Sequence, residues 1–253
     1  MACGAALIYC FVAAGSANAA ITGQITRVVK EVVVRPGAGA AATTENVINS
    51  GAFVHTGADS RGELTFADRT VARLGAKTRL RVGERSLTLE EGALLFDAPR
   101  GTSTATVQTG TIVVEGGGAT AVVERYGPAY AKILVLSGNP RVYLPAKIGE
   151  SLLLNPGQML IMKPDAKTLA EPVDYDIGQL YRTSVLIGRE FGRLVSQPQI
   201  AAEIAKQRSN PNLLPTNLVI YGRGTLVTLT PNAQTKGGTP KTSPSASPAN
   251  GKR

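Results

Sequence analysis

Thr56 to Val82 reads TGADSRGELTFADRTVARLGAKTRLRV, and within it apolar residues recur at every second position of short runs. Glu63-Leu64-Thr65-Phe66, Arg73-Leu74 and Arg79-Leu80-Arg81-Val82 each alternate. A strand turns successive side chains to opposite faces, so Leu64, Phe66, Leu74, Leu80 and Val82 make one buried face. The residues between these runs are turn formers. Gly57 and Gly75 suit turns that need unusual dihedrals. Asp59, Ser60 and Asp68 have short side chains that bond nearby backbone N–H groups, and Arg61 is placed to pair with Asp59 or Asp68.

The same period extends from Ile21 to about Met162, with Ser86-Leu87-Thr88-Leu89 as a further instance. Thr111 to Val114, Ala121 to Val123 and Ile133 to Leu136 are apolar almost throughout, which reads as burial on both faces. Turn signals separate the runs: Arg35-Pro36-Gly37, Gly83-Glu84, Gly116-Gly117-Gly118, Ser137-Gly138-Asn139-Pro140 and Asn155-Pro156-Gly157. Many short, regularly punctuated strands predict a mostly β chain, a sandwich, barrel or β-solenoid, and periodicity does not choose among these. The pattern changes after Pro164. Asp174 or Asp176 can cap a helix whose stripe is Ile177, Leu180, Tyr181, Ile187, Phe191 and Leu194. A second helix is predicted from Ser196, with Gln199 completing a capping box and Ile200 and Ile204 on its apolar face. Leu218 to Tyr221 and Thr225 to Leu229 read as a terminal β-hairpin. From Pro231 the composition cannot bury enough apolar area to offset ordering, so 231–253 reads as a disordered basic tail.

At the other end, Leu7 to Ala14 (LIYCFVAA) has the length of a signal-peptide core and is short for a membrane span. It leads to Ala17-Asn18-Ala19, a small-x-small pattern that predicts cleavage after Ala19. No Lys or Arg precedes the run, and an uncleaved N-terminal anchor is the competing reading. The divisions expected are therefore a signal peptide (1–19), a β-domain (20–165), a helical pair with the hairpin (166–230) and the tail. Both cysteines, Cys3 and Cys10, lie in the signal-like segment, so disulfides are not expected to stabilise the mature chain.

The formal net charge is +9 over 253 residues. Lys236, Lys241, Lys252 and Arg253 place +4 of it in the tail, and the rest is scattered. No aromatic residue interleaves with a basic run, so nucleic acid is not an expected partner. The single histidine, His55, cannot supply a His/Cys metal site, and no Gly-x-Ser-x-Gly elbow surrounds a serine. Asp174-Tyr175-Asp176 is better placed to cap a helix than to hold calcium. Gly116 to Gly118 matches neither a phosphate loop nor a dinucleotide fingerprint. No catalytic, cofactor-binding or metal site is expected, and His55 reads as a polar residue at a strand end.

The central run resembles the FecR domain, the periplasmic module of the iron-dicitrate sensor family. Thr56-Gly57, Asp59-Ser60-Arg61, Leu64 with Phe66, Asp68 with Thr70, Leu74-Gly75, and Thr78 with Leu80 carry the resemblance. The flanks agree: Ile21 to Gly37 looks like the family's opening strand pair, Leu89 to Gly92 like its Leu-x-x-Gly, and Leu154 to Met159 like its closing segment. The resemblance spans about 21–165. Two departures mark a divergent member. The family's Asp-Gly-Thr turn is Asp68-Arg69-Thr70, which implies a turn without positive φ at its middle residue. Ala121 replaces an aromatic residue in a later strand. The family's sensors carry a cytoplasmic sigma-factor-binding region and a membrane span, which the signal-like start does not match. The resemblance thus implies an exported module and not sigma-factor regulation.

The motif residues are expected to serve folding, so Asp68→Ala should lower stability and leave binding intact. The expected function is a non-catalytic binding module, periplasmic or secreted, whose partner is an envelope protein or a glycan. Membrane contact is expected only through an uncleaved N-terminus. The alternative is a structural envelope protein held to acidic wall polysaccharide or lipopolysaccharide by its basic surface and tail.

Overall fold

The computed structural model describes residues 22–35, 47–84, 86–101, 106–147 and 149–214. The signal-like segment, the expected terminal hairpin and the tail lie outside the described residues. Sixteen strands and two helices are found among those described, so the chain is mostly β. The strands form one continuous sheet folded into two leaves that share a single long strand, β8 (Leu87–Asp97).

The first leaf contains β1 (Thr22–Val29), β3 (Val47–Asn49), β5 (Arg61–Phe66), β6 (Val71–Leu74), β11 (Thr120–Tyr126), β12 (Tyr130–Ser137), β15 (Gln158–Met162) and β16 (Val173–Asp174). Its order is β3-β1-β5-β6-β8-β11-β12-β15-β16, and the second half of β8 takes part. The second leaf contains β2 (Val32–Arg35), β4 (Phe53–Thr56), β7 (Arg79–Val82), β9 (Thr106–Thr109), β10 (Ile112–Glu115), β13 (Arg141–Tyr143) and β14 (Ser151–Leu153). Its order is β2-β4-β7-β8-β9-β10-β13-β14. Every pairing is antiparallel except β8 with β9. Of the expected architectures this is the sandwich. The opening strands β1 and β2 do not pair with each other; they lie in different leaves.

Alternation decides what fills the space between the leaves. Ile25, Leu64, Phe66, Leu74, Leu94 and Phe96 from the first leaf meet Val54, Leu80, Val82, Leu87, Leu89 and Val107 from the second in one core. On the outer face of the first leaf, Leu95, Val122, Leu134, Leu136 and Met159 join Tyr175, Ile177, Leu180 and Ile200 in a second core. The helices α1 (Ile177–Thr183) and α2 (Gln197–Gln207) cover that face. The all-apolar runs on β11 and β12 are therefore buried on both sides, by the sandwich within and the helical layer without.

Two expectations for the helices are corrected. The stripe from Ile177 to Leu194 is not one helix: α1 ends at Thr183, where Ser184 caps it, and Ser184 Oγ accepts the amide of Leu186. Leu186, Phe191 and Leu194 are buried as the stripe requires, but from a non-helical strap, residues 184–196. The capping box at Ser196 does not form, for the Ser196 side chain makes no cap bond and its hydroxyl lies 2.6 Å from Thr120 Oγ1. The Asp97 carboxylate of β8 faces that helix start instead, 3.4 Å from the Ser196 amide. A carboxylate at a helix N-terminus is favoured by the exposed amides and the helix dipole. Asp176 caps α1, its Oδ1 accepting from the Gln179 amide at 2.9 Å.

Candidate interaction surface

Gly57, Asp59, Ser60, Gly75 and Thr78 of the family motif gather where the chain crosses between leaves, and Asp68 and Thr70 form the hairpin turn at the other end of β5 and β6. Four crossings meet at one corner: Lys30-Glu31 joins β1 to β2, 57–60 joins β4 to β5, 75–78 joins β6 to β7, and β8 itself crosses at Gly92. Thr56 and Thr78 tie them. The Thr56 hydroxyl donates to Gly75 O at 2.6 Å and accepts the Thr78 amide at 2.8 Å. The Thr78 hydroxyl in turn donates to Ala93 O and accepts the Ala93 amide. Gly57 O receives the amides of Ser60 and Lys77, and Ser60 Oγ accepts the amide of Glu31. Thr56, Ser60 and Thr78 are buried. Gly92 has φ +94, and a Cβ there would overlap Thr78.

The corner corrects the reading of its glycines. Gly57 and Gly75 do not take positive φ; the left-handed residues are Asp59 (φ 52) and Lys77 (φ 53), two places after each. The two segments, Gly57-Ala58-Asp59-Ser60 and Gly75-Ala76-Lys77-Thr78, are the same turn used twice. Gly75 is small because Ala93 lies against it. Arg69 has φ +67, against the expectation that the Asp68 turn avoids positive φ. Asp68 Oδ1 accepts the Thr70 amide at 2.9 Å, as a turn former should. Arg61 pairs with neither Asp59 nor Asp68. It bonds the Glu190 carboxylate, and Asp59 pairs with Lys30. Leu64, Phe66, Leu74 and Leu80 are core residues.

Sequence reading missed Arg73, which is 1% exposed on the outer face of the first leaf. Its guanidinium donates to Glu63 Oε2 (2.8 Å), Leu186 O (3.1 Å) and Gly192 O (2.6 Å), and lies 4.9 Å from the centre of the Phe191 ring. Burial lowers its pKa, and the hydrogen bond to Glu63 opposes that shift. Arg27 donates to Glu190 O at 2.6 Å. Three arginines thus hold the strap, and the two strap carbonyls on Arg73 explain why this stretch is not helix.

Among the described residues, no helix or strap covers the second leaf. Its outward residues follow the pairing register in one transverse row: Arg35, Phe53, Arg81, Thr88, Gln108, Val113, Tyr143 and Ser151, one from each strand. Arg81 lies 6.0 Å from the Phe53 ring centre and Arg141 lies 5.6 Å from that of Tyr143. Phe53 is 40% exposed. Beside the row, His55 faces Arg79 across β4 and β7, and Arg79 pairs with Glu91 at 2.8 Å. A concavity of about 420 Å³ opens here, with Arg35, Phe53, His55, Arg79, Glu31 and Glu90 on its walls. Aromatic and basic residues that do not interleave along the sequence do so across the strands.

Among the described residues, no three His, Cys, Asp or Glu side chains converge as metal ligands. No helix among them is long and apolar enough to cross a membrane. A recess of about 500 Å³ has Asp97, Thr120 and Ser137 on its wall, but these hydroxyls and the carboxylate bond one another and the start of α2.

Residues 52–139 match the family model described as FecR protein, about a third of the chain, from just before β4 to the turn after β12. Over these residues the chain is similar to the FecR family. Two crystal structures of a candidate anti-sigma factor from Parabacteroides distasonis ATCC 8503 are similar, each at 18% identity over 52% of this chain. The TM-scores are 0.44 and 0.42, and the likeness covers 65% and 64% of those chains, less than two thirds of their length. No curated protein matches the chain.

Proposed function

We propose that this chain is an exported, non-catalytic binding module of the periplasm or cell envelope, and that its contact surface is the outer face of the second leaf. The observation that carries this reading is the asymmetry of the sandwich. On the first leaf the chain's own helices and strap cover the outer face from β6 to β15 and leave the β1–β3 edge open, whereas the second presents Arg35, Phe53, His55, Arg81, Arg141 and Tyr143 with no covering element among the described residues. Charged side chains around exposed rings favour recognition over folding, since an exposed aromatic gains little from burial in the free state. The family-motif residues serve the corner, the core and the β5–β6 turn, which leaves the surface to make the contacts. The apolar run at 7–14 and Ala17-Asn18-Ala19 support export. The partner is an envelope protein or a glycan.

N-terminal sequencing of the chain recovered from a periplasmic fraction tests export, with Ala20 as the expected first residue. Saturable binding to an envelope extract, lost in Phe53→Ala/Arg81→Gln at unchanged melting temperature, is the result expected of the surface. A cytosolic chain still beginning at Met1, or binding indifferent to the double variant, would overturn the respective half of the proposal.

A further inference from the structure

The transverse row has a period, and the period points to a kind of partner. Adjacent strands are about 4.8 Å apart, so the row from Arg35 to Ser151 offers eight stations at that spacing. A pyranose chain advances by about one strand spacing per unit. Two stations pair a ring with a guanidinium, Phe53 with Arg81 and Tyr143 with Arg141, and they lie five strand steps apart. Between them lie Thr88, the exposed Gln108 and Val113, which is buried. A ring offers an apolar platform for the face of a sugar, and an arginine beside it offers a planar fork for a carboxylate.

Charge narrows the choice. The row holds Arg35 and Arg81 and no acid. Of the acids nearby, Glu91 is paired with Arg79 and Glu115 accepts the Tyr143 hydroxyl at 2.9 Å, while Glu31 and Glu90 line the concavity beside the row. We infer that the outer face of the second leaf binds a linear acidic polysaccharide running across the strands, with sugar rings on Phe53 and Tyr143 and carboxylates on the arginines. This rests on the surface assigned under the proposed function and chooses the glycan from its two partner classes. It does not involve the basic tail.

The test is calorimetric titration of the full chain with oligogalacturonates of two to eight units, with neutral cello-oligosaccharides alongside. Affinity is expected to rise with length up to about six units, the number that spans both ring stations, and then to level off. Phe53→Ala, which leaves the charge unchanged, should weaken binding of the longer oligomers at least tenfold, and Arg81→Gln at least fivefold, with each variant's melting temperature within about 2 °C of the parent. Binding that ignores Phe53→Ala and falls only with salt would assign the affinity to scattered charge and overturn the inference, as would equal binding of neutral oligomers or no binding at all. If those results came with saturable, Phe53-dependent capture of an envelope protein, the surface would stand and the glycan would not. If that capture were absent too, both would fall.

Discussion

Arg69 carries a backbone conformation that costs an L-residue about 1 kcal/mol and glycine nearly nothing. Arg69→Gly is therefore expected to raise the melting temperature by about 2–4 °C in a chain of this size, whereas Asp68→Ala, which removes the acceptor for the Thr70 amide, should lower it by a similar amount. Thermal denaturation followed by circular dichroism checks both. Thr78→Val keeps the shape but takes the hydroxyl from the Ala93 amide, the Ala93 carbonyl keeping the Gly75 amide, a loss of about 1–3 kcal/mol. Tyr175 adds a pH dependence. Burial holds its phenol well above the ordinary range while its hydroxyl donates to Val135 O at 2.8 Å. In the unfolded chain that phenol loses its proton near pH 10. Above that pH the unfolded state binds fewer protons than the folded one, so stability falls with rising pH; below it, Tyr175 adds no slope. Tyr175→Phe should flatten the alkaline limb of a denaturation profile. The sequence marks Asp68 and Thr78 as motif residues by type and spacing. It does not mark which residue of each turn takes the left-handed conformation, because that is fixed for Asp59 and Lys77 by how the four crossings nest and for Arg69 by the pairing of β5 with β6.

At the scale of elements, the strands are legible because each has a strict period of two and each turn its formers. The strap is not legible, because an apolar spacing of three and four only says which residues are buried. Whether 184–196 is helical depends on Arg73, more than a hundred residues away, which draws Leu186 O and Gly192 O to itself. Arg73→Met is expected to cost about 3–5 kcal/mol, since it leaves Glu63 and the two carbonyls without their partner, and to open the strap to proteolysis between Val185 and Arg193. Glu190→Ala removes a partly exposed pair with Arg61 and should cost less than about 1 kcal/mol. Urea denaturation and limited proteolysis of the two variants, side by side, separate a strap anchored by a buried cation from one held by surface charge. Equal sensitivity would show that the Arg73 cluster is not the anchor.

Over the whole molecule, folding and recognition occupy different places. The motif that carries the resemblance lies in the corner, the core and the β5–β6 turn, where it can be read along the sequence. The candidate surface is assembled from β2, β4, β7 and β13, and Arg35, Phe53, Arg81 and Tyr143 are brought into one row only by strand register. No local pattern contains that row, which explains why composition and spacing disclose the fold far better than the site. The most direct measurement compares Thr78→Val with Phe53→Ala/Arg81→Gln, scoring melting temperature and saturable binding to envelope extract at a temperature where both are folded. The corner variant should melt several degrees lower and bind as the parent does; the surface variant should melt as the parent does and fail to bind. Loss of binding in the folded corner variant, with the surface variant unaffected, would contradict this division and move the recognition site into the motif.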